Sequence, residues 1–352
     1  MAGVGVWLAL LAWVVFAVVT CAVMPLYARV SLSSAAAQAA TCSYGRIVCG
    51  CSIGIFLESN WTKVLQARGN MRLPMMAQIV GAGVNIGLDR LLIFGAGPIP
   101  RLGVAGAAWA TVIGQVLAAC IVGVAVRRPL PPPRAVGKYV RPICRAGVPN
   151  MLMNALCTVY IIVLNLILAS FSDAAVTVLG LYYKMQTFLL IPVLALTTCI
   201  VPLLSFNYAA GAWDRCRSIL WQSVGVSAGC MAVGTMVFLL FPTQLLSIFA
   251  AGEPGVLALG KLALRIIAIG FVPIVWSLIV PTYFQAIGKG RQSVFISVLR
   301  QILLLIPLAW GLSFLDVQAV WWAFPITEYL TAGATVILHK KYPMPRTAQK
   351  HT

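Results

Sequence analysis

Glu328 is a carboxylate set inside a long apolar stretch, and such residues are rare because a charge is costly in an apolar environment. It lies nine residues into the stretch 319–338, roughly 14 Å along a helix that rises 1.5 Å per residue. That depth would place Glu328 near the centre of a bilayer. Its carboxyl group would therefore either exchange a proton or a cation, or be satisfied by a neighbouring helix.

Other polar side chains also interrupt apolar stretches. Lys184 could pair with a buried acid, repel a cation or reach the interface, whereas Asp89 could act at a site or pair with Arg90. Glu58 lies close to Lys63, and we expect a structural role for it. Asparagines and glutamines in apolar helices bond across helices or line a polar path. The candidate residues for ion coupling or a substrate cavity are Glu328, Lys184, Asp89, Gln115, Asn85, Asn154, Asn165, Gln186 and Gln301.

Motifs for enzymatic chemistry are missing from the sequence. The glycines around Lys289 lack the spacing of an ATP-binding loop, and no combination typical of a hydrolase or of a metal site occurs. The ten cysteines lie mostly in apolar stretches, where they are typical packing residues. We therefore expect neither an enzyme nor a cofactor, and the energy for any transport would have to come from an ion gradient or from the substrate's own gradient.

The composition indicates which secondary-structure elements position these residues. The chain is 61% apolar and 9% charged, with a mean hydropathy of +0.97. The apolar stretches are long enough for spans of about 20 residues and lack the alternation of a membrane β-barrel. The sequence thus predicts an all-α polytopic membrane protein with ten transmembrane helices. The predicted spans are 5–24, 44–64, 75–94, 104–126, 149–170, 175–203, 219–241, 264–285, 293–314 and 319–338.

The net charge of +18 is explained by membrane topology. With a cytoplasmic N-terminus, 18 of the 25 basic residues, Arg300 among them, fall in inner segments, as the positive-inside rule expects. Both termini are then cytoplasmic, and no nucleic acid partner is needed.

An internal repeat divides the chain into two lobes. Leu65-Gln-Ala-Arg-Gly-Asn-Met-Arg72 is echoed by Phe284-Gln-Ala-Ile-Gly-Lys-Gly-Arg291, and the segment from Trp109 to Gln115 is echoed from Trp322 to Glu328. Repeated lobes in an apolar chain are typical of transporters. We predict an N-terminal lobe of four helices (1–126), a Pro-rich basic cytoplasmic linker (127–146), a C-terminal lobe of six helices (147–341) and a cytoplasmic tail (342–352). The first lobe lacks two helices, which indicates either a fragment, the alternative we favour, or a ten-helix variant.

These motifs resemble the multidrug and toxic compound extrusion (MATE) family, within the wider group that includes lipid-oligosaccharide flippases. The first Gln-Ala-x-Gly loop looks like the loop after the family's fourth helix, and 85–94 resembles its fifth-helix signature, with Arg90 where proline is usual. The segment 103–115 resembles the start of the sixth helix. The segments 202–211 and 284–290 resemble the loops after helices eight and ten, respectively. The segments 299–307 and 320–328 resemble helices eleven and twelve.

The resemblance implies an antiporter that exports cationic amphipathic compounds by alternating access in the bacterial cytoplasmic membrane, coupled to an inward flow of Na⁺ or H⁺ as the coupling ion. We expect it to act as a monomer in the lipid bilayer. The family's first-helix aspartate has no counterpart here and 147–170 contains no acid, whereas Glu328 occupies the Pro-Ile-x-acid position of helix twelve. The resemblance is closest to the MepA-like exporters. The alternatives are a flippase for lipid-linked glycans, which predicts a large basic cavity, and a non-transporting remnant.

Overall fold

The computed structural model describes residues 2–31, 34–95, 100–126, 136–249 and 254–342. Within these ranges the regular secondary structure is helical, which confirms the predicted all-α polytopic class. The chain forms two compact units, residues 1–144 and residues 145–352, called here the N-terminal unit and the C-terminal unit.

The N-terminal unit is built from five helices. They are α1 (Ala2–Ser31), α2 (Ala35–Gly50), α3 (Ile53–Ala67), α4 (Arg72–Phe94) and α5 (Val104–Val126). The second predicted span corresponds to α2 and α3 together, since the helix is broken at Cys51 and Ser52. The Ser52 hydroxyl donates a 2.7 Å hydrogen bond to the Cys49 carbonyl and so satisfies one backbone group at the break.

The C-terminal unit begins within α6, whose first residues precede the boundary between the units. Its helices are α6 (Val136–Ala169), α7 (Asp173–Ala209), α8 (Trp213–Leu240), α9 (Pro242–Phe249), α10 (Pro254–Ala268), α11 (Ile274–Ala286), α12 (Gly290–Val298), a π-helix (Leu299–Leu305), α13 (Ile306–Ser313), α14 (Val317–Val320) and α15 (Ala323–Lys341). The predicted linker (127–146) is helical from Val136, because the proline run that opposes a helix ends at Pro133. Residues 127–135 of that linker, and 343–352 of the predicted tail, lie outside the described residues.

Eight helices within the described residues are long and apolar enough to cross a membrane. The two remaining predicted spans, 264–285 and 319–338, are also largely helical, but each is interrupted. Between α10 and α11 the chain makes tight turns that are closed by hydrogen bonds between residues three apart. One example is the 2.9 Å bond that the Gly270 N–H donates to the Ile267 carbonyl. A Cβ atom at Gly270 would lie 3.0 Å from the Pro325 Cα, so the glycine lets α15 approach this break closely.

The two copies of the Gln-Ala-x-Gly repeat end their helices in the same way. Gly69 after α3 and Gly288 after α11 have positive φ angles of 80° and 77°. In each case the next N–H reaches back to close the helix, from Asn70 to the Leu65 carbonyl at 3.0 Å and from Lys289 to the Phe284 carbonyl at 2.8 Å. This is the Schellman motif, which favours glycine because other residues are strained at positive φ. The repeat is therefore structural as well as sequential.

Packing differs between the two units. In the N-terminal unit, α4 and α5 cross where two glycines meet: a Cβ atom at Gly81 would lie 2.8 Å from the Gly114 carbonyl oxygen. Small residues at such crossings let helix backbones pack closely in a membrane. The C-terminal unit instead encloses large aromatic side chains, among them Trp321, Tyr283 and Phe271.

Candidate functional site: a polar cavity in each unit

A small polar cavity lies inside the C-terminal unit. Its volume is about 20 Å³, which is room for roughly one water molecule. Helices α6, α7 and α15, the π-helix and the turn at Gly270 contribute its polar and apolar lining. The polar side chains of this lining are Tyr160, Tyr182, Tyr183, Gln186, Arg300, Gln301 and Glu328.

Arg300 and Glu328 form a salt bridge at this cavity. The Arg300 Nε and Nη2 atoms donate to the same Glu328 oxygen, Oε1, at 2.8 and 2.6 Å. The side chains are only 18% and 11% exposed, so the pair is largely withdrawn from its surroundings. The second carboxylate oxygen, Oε2, is buried and accepts no hydrogen bond from the described residues. The carboxylate is thus paired with one cation inside the protein, and both described hydrogen bonds reach the same one of its two oxygens.

The π-helix explains how Arg300 reaches this position. Pro307 lies two residues after its end and has no N–H to donate to the preceding turn, so the helix cannot keep regular α-helical bonding there. A widened turn is a common response to such a break, and π-turns are often found at functional sites. Gln301, also on this turn, is 5% exposed and donates through Nε2 to the Cys157 sulfur at 3.2 Å.

Tyrosines from α6 and α7 surround the ion pair. The Tyr182 ring packs edge-on against Phe324 with centroids 5.5 Å apart, and the Tyr160 and Tyr183 rings are 6.4 Å apart. These rings occupy the space around the charges and leave little room for water. Opening the Arg300–Glu328 pair therefore requires a rearrangement of the surrounding helices.

The structure brings some of the predicted residues of this unit together and leaves others apart. Glu328, Gln186 and Gln301 line the cavity. Lys184 is exposed and outside it, since the turn of α7 directs the neighbouring tyrosines to the cavity instead. Asn154 and Asn165 also lie outside the cavity, and each donates to the carbonyl four residues earlier, at 2.8 and 2.9 Å. Such local bonds satisfy the amide without a partner helix.

A larger cavity lies in the N-terminal unit, with a volume of about 250 Å³. Helix α3 contributes Ile55 and Glu58 to it. The lining residues of α4 and of α5 follow the spacing i, i+3, i+4, i+7, which places each set on one face of its helix. They are Gln78, Gly81, Ala82 and Asn85 on α4, and Thr111, Gly114, Gln115 and Ala118 on α5.

Glu58 is the charged residue of this cavity and is 8% exposed. Its Oε1 atom accepts hydrogen bonds from the Thr62 hydroxyl at 2.7 Å and from the Gln78 amide at 3.4 Å. The nearby Lys63 ammonium is exposed and donates to the Gln66 amide oxygen at 3.2 Å. Five residues separate Glu58 from Lys63, which is about 140° around a helix of 3.6 residues per turn, so the two side chains leave α3 on different faces.

Asn85 and Gln115 are the predicted residues that line the N-terminal cavity. The Asn85 amide lies 3.5 Å from the Thr111 hydroxyl oxygen, and the Gln115 Oε1 atom is buried without a hydrogen bond from the described residues. Asp89 lies outside the cavity. Its Oδ1 atom is also buried without a described hydrogen bond, and the expected ion pair with Arg90 is absent among the described contacts.

Two residues of these cavities were missed in the sequence. Arg300 was assigned to an inner loop, but it lies ten residues beyond the start of α12, which is roughly 15 Å along the helix. The signal that could have identified it is the acid of the next span, because buried charges are generally paired. Glu58 could have been found through its spacing: it lies four residues after Gly54, as Gln78 lies three residues before Gly81, so each polar residue shares a helix face with a glycine at a close helix crossing.

Together, the apolar helices and the polar groups buried among them define the class of a multi-pass membrane transport protein. A family model described as MatE matches residues 1–91 and 149–310. The chain belongs to the MATE family, whose members are transporters and not enzymes.

Curated relatives and solved structures agree with this assignment. The chain is 28% identical over 286 residues to an FAD transporter of Shewanella oneidensis, covering 79% of this chain and 63% of that protein. It is 24% identical over 288 residues to the multidrug export protein MepA of Staphylococcus aureus (78% and 61%), which confirms the predicted MepA-like resemblance. It is also 24% identical over 301 residues to the probable multidrug resistance protein YoeA of Bacillus subtilis (80% and 64%).

The chain thus spans about three fifths of the length of these relatives. Among solved structures, it matches a transporter of the MOP superfamily from Pyrococcus furiosus with a TM-score of 0.86 and 18% identity, covering 97% of this chain and 78% of that one. An outward-facing multidrug resistance MATE transporter matches equally well, with a TM-score of 0.86, 18% identity and coverage of 96% and 77%. These structural matches support the fold.

Proposed function

We propose that the protein exports cationic amphipathic compounds by alternating access, driven by an inward gradient of Na⁺ or H⁺. Membership of the MATE family supports transport, and the names of the MepA and YoeA relatives support multidrug export. In this proposal the two units are the two lobes of the transporter, both termini are cytoplasmic, and the coupling ion takes the place of a cofactor.

The observation that carries the proposal is the Arg300–Glu328 salt bridge inside the C-terminal unit. A charge buried among apolar helices is costly, and such residues commonly mark ion pathways. In the closed pair, Arg300 serves as the internal counter-ion of Glu328. When the pair opens, Glu328 takes a proton or Na⁺ in place of the guanidinium, and its free Oε2 atom offers the first contact.

The test is gradient-driven efflux of ethidium from vesicles that contain the full chain. Glu328→Gln removes the exchangeable charge, so we expect efflux driven by an imposed Na⁺ or pH gradient to be lost. Asp173→Asn is the matched control, because Asp173 is an exposed carboxylate at the start of α7 and outside both cavities. Full gradient-driven efflux by Glu328→Gln would contradict the coupling role.

Export of a flavin dinucleotide is the second candidate, because of the FAD transporter of Shewanella oneidensis. FAD carries negative charges on its pyrophosphate, so it would need basic residues. Arg300 is the basic residue of the C-terminal cavity, but its guanidinium is already engaged by Glu328. Vesicles loaded with FAD in place of ethidium distinguish the two substrate classes. The flippase alternative is less favoured, since neither described cavity has a large basic lining.

A further inference from the structure

Six basic side chains of four helices lie at one end of the C-terminal unit, where α11 and α15 finish and α8 and α12 begin. Five of them are exposed, and Asp214 is the acidic residue that the described structure places among them. Each basic residue lies just outside a predicted span, which corresponds to the level of the lipid headgroups. These residues, called here the basic end, are Arg215, Arg217, Lys289, Arg291, Lys340 and Lys341.

The aromatic packing of α11 joins the neighbouring helices at this end. The Trp276 ring of α11 packs edge-on against Trp221 of α8, with centroids 5.6 Å apart. The Tyr283 ring, also on α11, packs edge-on against His339 of α15, again at 5.6 Å. Tyr283 is buried, so this contact belongs to the core of the unit. The start of α8 and the end of α15 therefore flank the end of α11, and their cations lie on one surface.

Lys289 is held in place on this surface. Its ammonium group lies over the Tyr342 ring, 4.7 Å from the centroid, and the side chain is partly buried. Tyr342 directly follows α15 and packs against the buried Phe284, with ring centroids 6.5 Å apart. An ammonium over an aromatic face is restrained but keeps N–H donors for a further acceptor. The cation is thus positioned in advance for an anionic group.

The two copies of the Gln-Ala-x-Gly repeat differ at this position. In the first copy, the Asn70 side chain accepts a 3.2 Å hydrogen bond from the Leu73 N–H and caps the start of α4. Lys289 takes the matching place in the second copy, and its side chain makes no capping bond at the start of α12. The second copy therefore has a cation where the first has a cap, and the N–H groups that open α12 add to the positive field.

Exposed apolar side chains continue this surface toward the middle of the membrane. Each lies one turn along its helix from a basic residue, and residues four apart share a helix face. Cations at the helix ends with apolar groups one turn deeper match a phospholipid, because its phosphate is anionic and its chains are apolar. A soluble anion would use the cations alone. The three pairs are Arg217 with Trp221 (51% exposed), Arg291 with Phe295 (52%) and Lys341 with Ile337 (68%).

We propose that the basic end binds anionic phospholipids, with their phosphate groups at Arg217, Lys289 and Arg291. Their acyl chains lie along Trp221 and Phe295. The proposal rests on the proposed function only for the leaflet concerned, since this end is cytoplasmic in the proposed topology. A general attraction between a basic protein and anionic lipid depends on the net charge, whereas a binding surface depends on particular cations.

The experiment measures the association of spin-labelled lipids with the full chain in phosphatidylcholine vesicles, by electron paramagnetic resonance and without an ion gradient. One basic residue near an anionic surface contributes roughly fivefold in association, so the wild type should bind labelled phosphatidylglycerol at least about fivefold more strongly than labelled phosphatidylcholine. Lys289→Gln combined with Arg291→Gln should lower this preference by at least about threefold.

The matched control is Lys261→Gln combined with Arg265→Gln, which removes the same charge from the other end of the unit. Arg265 is at that end because its Nε atom donates to the Leu239 carbonyl, near the end of α8, at 3.3 Å. The control should keep the wild-type preference.

Two further variants keep the proposal testable if the glutamine variant does not fold. Lys289→Arg combined with Arg291→Lys preserves both charges and should keep the preference. Lys340→Gln combined with Lys341→Gln changes exposed side chains in the last turn of α15 and should lower it. In a second arm, glycerol phosphate supplies the phosphate without acyl chains, and it should displace little labelled phosphatidylglycerol.

The inference is overturned if the wild type shows no preference for phosphatidylglycerol, or if the control lowers the preference as much as the glutamine variant does. It is also overturned if glycerol phosphate displaces the label as effectively as unlabelled phosphatidylglycerol, because the ligand would then be a soluble phosphate. The proposed function fails separately. A preference that depends on the basic end, together with efflux that ignores imposed gradients, would support this surface and contradict ion-coupled export.

Discussion

Replacing Arg300 by methionine should destabilise the C-terminal unit by about 2–4 kcal/mol, because it leaves the Glu328 carboxylate buried without its partner. The wild-type pair has two charge-assisted hydrogen bonds, at 2.8 and 2.6 Å. Losing one partner of a fully buried pair costs about 3–5 kcal/mol. The side chains are still 18% and 11% exposed, so the pair is not fully buried and the estimate lies somewhat below that range.

The assay is a double-mutant cycle read by thermal unfolding of the purified protein, followed through tryptophan fluorescence. Arg300→Met and Glu328→Leu are made singly and together, because the double variant removes both charges and keeps apolar volume. A buried ion pair replaced by well-packed apolar residues is often close to neutral. We therefore expect the double variant to be more stable than Arg300→Met alone, with a coupling energy of about 2 kcal/mol or more.

The reasoning would be refuted if Arg300→Met were no less stable than the double variant. That result would mean that the Glu328 carboxylate is satisfied without Arg300, through water or through groups outside the salt bridge.

Three further predictions concern the glycines and the topology. Gly114→Ala should lower the stability of the N-terminal unit by about 1–3 kcal/mol, because the new Cβ atom would meet the Gly81 carbonyl oxygen at 2.7 Å. Gly83→Ala is the control and should be tolerated, because a Cβ atom there meets open space. Thermal unfolding of the two variants tests this prediction. Gly69→Ala and Gly288→Ala should each cost about 1–2 kcal/mol in the same measurement, since alanine is strained at their positive φ angles. A fluorescent protein fused to the C-terminus should fluoresce and an alkaline phosphatase fusion should be inactive, because we expect that end to be cytoplasmic; the reverse pattern would contradict the predicted topology.

Much of the architecture could be predicted from the sequence because it depends on local patterns. Long apolar stretches locate helices, and the Gln-Ala-x-Gly repeat marks two helix ends where Gly69 and Gly288 adopt the same conformation. The repeat also related Gln115 to Glu328, and each of these side chains lines the cavity of its own unit. Equivalent positions in repeated lobes thus carried information about the sites.

The partners of the charged residues could not be predicted in the same way. The sequence predicts Arg300 in an inner segment, because a basic residue near a helix end normally lies at the membrane–water interface. Its actual place depends on the π-helix and on the distance to α15, neither of which has a local sequence pattern. The sequence likewise gives Glu58 a structural role but no partner, whereas tertiary packing places it within hydrogen-bonding distance of Gln78.

The lining of the N-terminal cavity has an electrical consequence. It contributes one carboxylate and, within the described structure, no basic side chain, whereas the lining of the C-terminal cavity contributes one carboxylate and one guanidinium. Moving one elementary charge across a membrane potential involves about 2.3 kcal/mol per 100 mV. In the proposed alternating-access cycle, an ionised Glu58 would therefore make reorientation of the N-terminal unit sensitive to voltage, and a protonated Glu58 would not.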